Sequence, residues 1–197
     1  AWTALRLPPG EDSEINAAIT ALPATGGEVV ILDGTYNITA KIDVTKDNVS
    51  IRGNGNATIL KRMFDSSVKE GVITLTSRSG CKIANLQIDG NNTSYTGSRN
   101  GGIYLTSSSN NTITGNTCYD NNTGINLTSS SNNTITGNTC IRGTGLATDY
   151  TASQHTIQLN GTSNRYNLIA MNNCMGKAVT NEGGTGNTLV NNKFDEA

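Results

Sequence analysis

The sequence predicts an all-β fold: a single-stranded right-handed parallel β-helix, three short strands to a rung, with a short N-terminal capping α-helix. Three observations carry this. Gly102–Thr123 (GIYLTSSSNNTITGNTCYDNNT) recurs almost unchanged as Gly124–Gly145 (GINLTSSSNNTITGNTCIRGTG), an offset of 22 residues. Within each copy the apolar residues alternate in short runs, separated by Ser-Asn and Gly-Asn pairs, as strands with one buried face and tight turns require. Apolar residues also continue at matching positions on both sides of the two copies. Three strands in 22 residues cannot bury a core alone, but stacked at the ~4.8 Å strand spacing they can.

Taken in chain order, residues 1–28 form an N-terminal segment with a capping helix, and 29–197 form the β-helix of one domain. Ile15, Ala18, Ile19 and Leu22 fall at helical spacing. Asp12 or Ser13 suits the helix start, Glu11 and Glu14 suit its positive end, and Pro23 with Gly26-Gly27 stops it. Such a helix covers an otherwise open end of the solenoid. Val30–Leu32, Tyr36–Ile38, Val49–Ile51 and Thr58–Leu60 read as the first strands. In the clear copy the strands are Ile103–Leu105, Thr112–Thr114 and Thr117–Tyr119.

Stacking predicts columns. Ile83, Ile113, Ile135, Ile169 and Leu189 form one, and Ile88, Cys118, Cys140, Cys174 and Phe194 another. Ile73, Ile103, Ile125, Ile157 and Val179 form a third, while Leu75, Leu105, Leu127 and Leu159 form a fourth that stops at Asn181. Asn116, Asn138, Asn172 and Asn192 make an Asn ladder at a bend, each tolerating the left-handed conformation and bonding its neighbours above and below. The stacked cysteines read as small buried thiols, without the close spacing of a metal site. Cys81 has no evident partner. The C-terminal end shows no lid, so a neighbouring chain or a further segment is expected to cover it.

Composition narrows the function classes. The net charge is -1 with only 15% charged residues, so no nucleic-acid partner is expected. No apolar run reaches membrane-spanning length.

The stretch Ser13–Ile38 (SEINAAITALPATGGEVVILDGTYNI) resembles the opening of the pectate-lyase-like β-helices, in which a helix runs into a Gly-Gly turn, a first apolar strand and a Gly-Thr-Tyr turn. Similar openings occur in polysaccharide lyases, epimerases and phage tailspikes, and the SSNNTITGNT repeats resemble β-helix repeats in bacterial and archaeal surface and periplasmic proteins. The resemblance implies an extracellular, cell-surface or virion-surface protein. It also implies a polysaccharide or cell-surface glycan as partner and assembly as a homotrimer or within a longer protein.

The loops locate the expected site. Cys118 to Ile125 takes seven steps, whereas Ile88 to Ile103 takes fifteen and Cys140 to Ile157 seventeen. Both insertions leave the same corner and bracket one short rung, which predicts a groove floored by outward first-strand residues. That floor is Thr74, Tyr104, Asn126 and Gln158, with Asp89, Asn91, Asn92, Tyr95 and Arg99 on one wall, Arg142, Asp149, Tyr150 and His155 on the other, and Asp120 between. Aromatic faces, amides and charged groups of this kind grip sugar rings and hydroxyls. The alternative expectation is an enzyme of the lyase, epimerase or glycoside hydrolase type. Asp149, His155, Arg142 and Asp120 are then its acid, base and charge-stabilising candidates, and Ca²⁺ enters only if it is a lyase. Against that, the Asn-Thr-Asp, Asp-Asp, Gly-His-Gly and Arg-Ile-Lys segments of polygalacturonases and the Asp-Pro-His segment of mannuronan epimerases are missing. No metal or other cofactor is otherwise expected.

Overall fold

A computed structural model describes residues 3–5, 12–142 and 154–194. Nineteen strands and one helix are described, and every strand pairing is parallel. None of the described helices is long and apolar enough to cross a membrane.

Each rung contributes a strand to three faces. The first face stacks β4 (Ile42–Val44), β6 (Glu70–Thr76), β8 (Asn100–Thr106), β11 (Thr123–Thr128), β14 (His155–Asn160) and β17 (Thr180–Asn181). The second stacks β2 (Gly27–Ile31), the starts of β5 (Val49–Arg62) and β7 (Lys82–Asp89), then β9 (Thr112–Thr114), β12 (Thr134–Thr136), β15 (Leu168–Ala170) and β18 (Thr188–Val190). The third stacks β3 (Gly34–Ile38), the ends of β5 and β7, β10 (Thr117–Asn121), β13 (Thr139–Arg142), β16 (Asn173–Met175) and β19 (Lys193–Phe194). In β5 and β7 one strand rounds the corner between two faces, with register shifts where it bends.

The predicted columns form in register. Ile83 pairs with Ile113, Ile113 with Ile135, Ile135 with Ile169 and Ile169 with Leu189. Ile88, Cys118, Cys140, Cys174 and Phe194 pair in turn, as do Leu75, Leu105, Leu127 and Leu159, ending at Asn181. Each fully buried Leu or Ile in such a column contributes roughly 1.5–3 kcal/mol. All four cysteines are free and buried. Hydrogen bonding to Cys118 and burial hold the Cys140 thiol well above its ordinary value, and burial pushes Cys174 up to about 11. These thiols pack the core and stay un-ionised at neutral pH.

The Asn ladder forms, and its geometry is cleaner than expected. The Asn138 side-chain Oδ1 accepts both the backbone N–H (3.1 Å) and the Nδ2 (3.0 Å) of Asn116. Asn172 does the same for Asn138, and Asn192 for Asn172. Each Nδ2 also donates to a carbonyl of the rung before, such as Asn138 to Ile113 at 2.9 Å. A second ladder, absent from the sequence expectations, runs through Asn111, Asn133, Asn167 and Asn187. A third support runs Ser108, Ser130, Asn164.

One expectation is corrected. The laddered Asn residues do not take the left-handed conformation. The residue immediately before each one does: Asn110 (φ 59°), Gly115 (67°), Asn132 (55°) and Gly137 (65°). The left-handed residue turns its side chain to solvent, and that reversal aims the next amide inward. Close approach matters elsewhere: a Cβ on Gly102 or Gly124 would stand 2.5 Å from a carbonyl oxygen of the next rung.

At the N-terminal end, α1 (Asp12–Ala21) buries Ile15, Ala18 and Ile19 against the core, as the spacing predicts. Asp12 does not cap its own helix. Its Oδ1 accepts the backbone N–H and hydroxyl of Thr39, tying the helix to the end of β3. Asn16 behaves as a strand edge would, donating to Lys41 O and accepting from Asp43 N at 3.0 and 2.8 Å. A strand missed by the sequence reading, β1 (Thr3–Leu5), pairs with β2.

The ladder gives a graded prediction. Asn138→Ala strands the Asn116 N–H and the Ile113 carbonyl in the core and is expected to cost about 3 kcal/mol. Asn132→Gly, at an exposed left-handed position, is expected to change stability by less than about 0.5 kcal/mol. Denaturant unfolding of both variants checks this, and equal losses would contradict it.

Candidate functional site

The corner between the third and first faces is where the rungs differ most. Among the described residues it carries no Asn ladder. After β7 the insertion Gly90–Arg99 leaves here, and after β13 a second one does, most of which lies outside the described residues. Between them β10 passes into β11 through Asp120, Asn121 and Asn122.

The first insertion folds back on neighbouring backbone. Asn91 N donates to Asp89 Oδ1 at 2.8 Å, and Asn92 N donates to Asp120 Oδ2 at 2.9 Å. The two carboxylates thus hold the loop's first residues from adjacent rungs. Both are nearly buried, 7% and 8% exposed, and Asp120 takes a left-handed φ of 51°. Lys61 stands 4.0 Å from Asp89. Tyr119, in register with Asp89, has its phenol pushed up to about 12. Burial is the main cause, followed by the hydrogen bond to Asp89 and the charges of Asp89 and Asp120.

The far end of the insertion rests on Arg62, which is fully buried. Its guanidinium donates to Gly101 O (2.6 Å), Glu70 O, Phe64 O and Asn100 Oδ1, and sits 4.2 Å over the Phe64 ring. Its partners are carbonyls and an aromatic face, with no carboxylate in ion-pair contact among the described residues, so burial lowers its value to about 10 and it remains a cation at neutral pH. Asn100 joins this centre to the loop through Asp65 (2.7 Å) and Tyr95 O (2.9 Å). The alternation Leu60–Arg62, in step with inward Ile38, was the signal in the sequence that pointed Arg62 inward.

The expected residues divide into three groups. Asp89, Asp120 and His155 come to one corner on adjacent rungs. His155 N donates to Asn122 O at 2.8 Å, and its Nδ1 lies 3.0 Å from the Thr180 hydroxyl. Arg142 reaches the same corner by backbone pairing with Asn121. Tyr95 is half-buried in the insertion and Arg99 is exposed, its guanidinium bonded to Ser67 O. Asp149, Tyr150 and the Arg142 side chain lie outside the described residues.

The floor is the third group, and here the expectation of an open surface differs from the structure. Thr74, Tyr104, Asn126 and Gln158 do align in register, yet they are only 5%, 3%, 1% and 6% exposed. They are consumed by neighbouring groups, Thr74 by Gly71, Tyr104 by Thr123, and Asn126 and Gln158 by each other and their neighbours. Asn126 Nδ2 donates to Gln158 Oε1 at 2.9 Å, Thr128 donates to Asn126 Oδ1, and Gln158 Nε2 donates to the Glu182 carboxylate. These bonds close the outward side of the first face, so solvent reaches the rim instead: Tyr119, Asn91, Asn92, Tyr95, Arg99 and His155. Among the described residues no three His, Cys, Asp or Glu side chains converge as metal ligands would.

The family model of the right-handed β-helix region matches residues 29–195. A comparison with curated protein sequences finds no match. Among solved structures, ORF18 of Geobacillus virus E2 is similar over 91% of this chain and 37% of its own, at 22% identity and a TM-score of 0.66. A candidate glycosyl hydrolase from Parabacteroides merdae is similar over 91% and 88%, at 16% identity and a TM-score of 0.72. An iota-carrageenase bound to iota-carrageenan fragments is similar over 84% and 38%, at 18% identity and a TM-score of 0.61. This chain therefore spans little more than a third of the viral protein and of the carrageenase. At these identities the likeness is one of fold.

Tyr119 provides a direct check on the corner. Its folded value lies above the ordinary value near 10, so its protonated form stabilises the fold fully below about pH 10. That contribution is lost as pH rises toward about 12. Spectrophotometric phenol titration is expected to show a late component near pH 12 that Tyr119→Phe removes and Asp89→Asn shifts downward. A component unmoved by Asp89→Asn would contradict the assigned contact.

Proposed function

The chain belongs to the right-handed β-helix family, and from that premise we propose that it is a glycan-contacting module of a phage tail fibre, tailspike or microbial cell-surface protein. Polysaccharide lies along the groove at the first-strand face, between the two insertions. Because the floor side chains are buried and hydrogen-bonded to their neighbours, contact is made by the rim. Tyr119 and Tyr95 present ring faces, Asn91, Asn92 and His155 present hydrogen-bonding groups, and Arg99 presents a cation. Their sequence position in the second insertion assigns Asp149, Tyr150 and Arg142 to the opposite side, and Tyr104, Asn126 and Gln158 hold the rim from beneath. The observation that carries this reading is the corner itself, where two long insertions flank one short rung. Glycan-acting neighbours of the same fold, the carrageenase among them, lend it further support.

The test is saturable binding of the 197-residue chain to immobilised sulfated galactans, uronate polymers and neutral α-glucans. Retention on at least one is expected, and Tyr119→Ala should weaken it roughly tenfold, about 1.4 kcal/mol. Binding to none of them, or binding untouched by both Tyr119→Ala and Arg99→Ala, overturns the proposal.

A second reading is that the same corner degrades or modifies the polysaccharide, as a lyase, epimerase or glycoside hydrolase. One observation favours it: two nearly buried carboxylates, Asp89 and Asp120, border a phenol whose value burial raises and they raise further. In that reading Asp120, Asp149, His155 and Arg142 share acid, base and charge-stabilising roles, and Ca²⁺ enters only for a lyase. New reducing ends or unsaturated products, falling roughly a hundredfold or more in Asp120→Asn, are the expected outcome of this reading. Retention without any product favours the binding module.

A further inference from the structure

A cleft of about 460 Å³ lies away from the corner described above, at the bend between the second and third faces in the first rungs. Val30, Leu32 and Asp33 line it from β2 and the link to β3, and Arg52, Gly53 and Asn54 line it from β5. The register explains why it opens there. From Arg52 to Ile59 β5 takes seven steps, whereas its partner β7 takes three, from Ala84 to Gln87. The ladder headed by Asn116 supports this bend only from β9 onward, so no amide chain holds β5 to the ordinary length. The extra residues stand out from the bend beside the link between β2 and β3.

Side-chain contacts fix the walls. The hydroxyl of buried Thr58 donates to Leu32 O (3.2 Å) and accepts from Asn54 N (3.0 Å), pinning the neck of the bulge to the end of β2. Asn54 Nδ2 donates to Asp33 Oδ1 at 3.1 Å and joins the two rims. Arg52 Nε donates to Glu28 Oε1 at 3.0 Å, which sets the direction of the guanidinium. Gly53 permits this closeness, since a Cβ there would lie 2.7 Å from Thr58. The cleft is therefore shaped before any ligand arrives, as small-molecule sites generally are.

The lining selects the ligand. Val29 and Ile31 are buried in the core, and alternation turns Val30 and Leu32 outward, half-buried, as an aliphatic floor. Hydrogen-bonding groups surround that floor. Asp33 and Asn54 are exposed and offer Oδ2 and Oδ1 as acceptors, while the terminal nitrogens of Arg52 offer donors. The Arg52 charge is already met by Glu28, and Asp33 has no cationic partner among the described residues. A bound anion would gain little from the first and be repelled by the second. A wholly apolar ligand would leave a carboxylate and a guanidinium desolvated. An uncharged polyol with one C–H face and hydroxyls around its edge meets every group. We propose that this cleft is a second carbohydrate site, taking one uncharged pyranose ring. Its C–H face rests on Val30 and Leu32, its hydroxyls donate to Asp33 and Asn54, and one of its oxygens accepts from Arg52. The site is separate from the groove at the first-strand face and does not depend on it.

Titration of the ¹⁵N-labelled full chain with the methyl glycosides of glucose, galactose and mannose, read by amide chemical shifts, tests it. Saturable shifts at Gly53, Asn54 and Gly55 are expected with at least one of the three, with a Kd in the millimolar range that suits a single ring. Asp33→Ala and Asn54→Ala are each expected to weaken binding about tenfold. Both should leave Tm unchanged, because the two side chains are exposed and Thr58 holds the bulge through the backbone of residue 54. No saturable shift at these amides with any of the three glycosides overturns the proposal. So does binding that both Asp33→Ala and Asn54→Ala leave untouched. Equal or larger shifts at the same amides with sodium sulfate would make the cleft an anion site and overturn it as well.

Discussion

A buried side-chain amide in a parallel solenoid must be satisfied by the rungs above and below it, and the rest of this structure depends on that constraint. An Asn at the bend accepts two hydrogens from its predecessor, donates two to its successor, and donates another to a carbonyl of the earlier rung. Moving any rung by one residue would break all of these bonds at once. Two such ladders, backed by Ser108, Ser130 and Asn164, lock the register on both sides of the second face. The apolar columns follow from that lock rather than setting it, because Ile, Leu and Cys would tolerate small slips that an amide ladder does not.

The same constraint decides where the chain is free to vary. At the two laddered bends loop lengths barely change. Among the described residues the third bend has no ladder: the Asn121 position meets Arg142 in the next rung. Long insertions enter there without breaking any amide chain. The corner that can carry function is the corner that carries least of the register.

Arg62 shows how an insertion is made rigid once it is admitted. A buried guanidinium is costly unless its hydrogens are met, and four backbone or amide oxygens and an aromatic face meet most of them. The loop is therefore anchored at both ends, by Asp89 and Asp120 at its start and by Arg62 through Asn100 at its finish. An anchored loop presents its rim residues at fixed positions, which a binding surface requires.

The 22-residue repeat by itself determined the strand order, the inward columns, the Asn116–Asn192 ladder and the corner at which the insertions leave, because each is a matter of spacing and spacing is written in the sequence. It did not reveal the second ladder, though Asn111 and Asn133 lie inside the repeat, since an Asn beside another Asn gives no sign of which one turns outward. Nor did it show that Tyr104, Asn126 and Gln158 are closed off, that Arg62 is buried, or that Tyr119 lies against two carboxylates. Alternation tells which side of a strand a residue occupies. Only the tertiary structure decides whether that side is left to solvent or consumed by hydrogen bonds from neighbouring rungs, because those partners lie twenty or more residues away and at no constant offset.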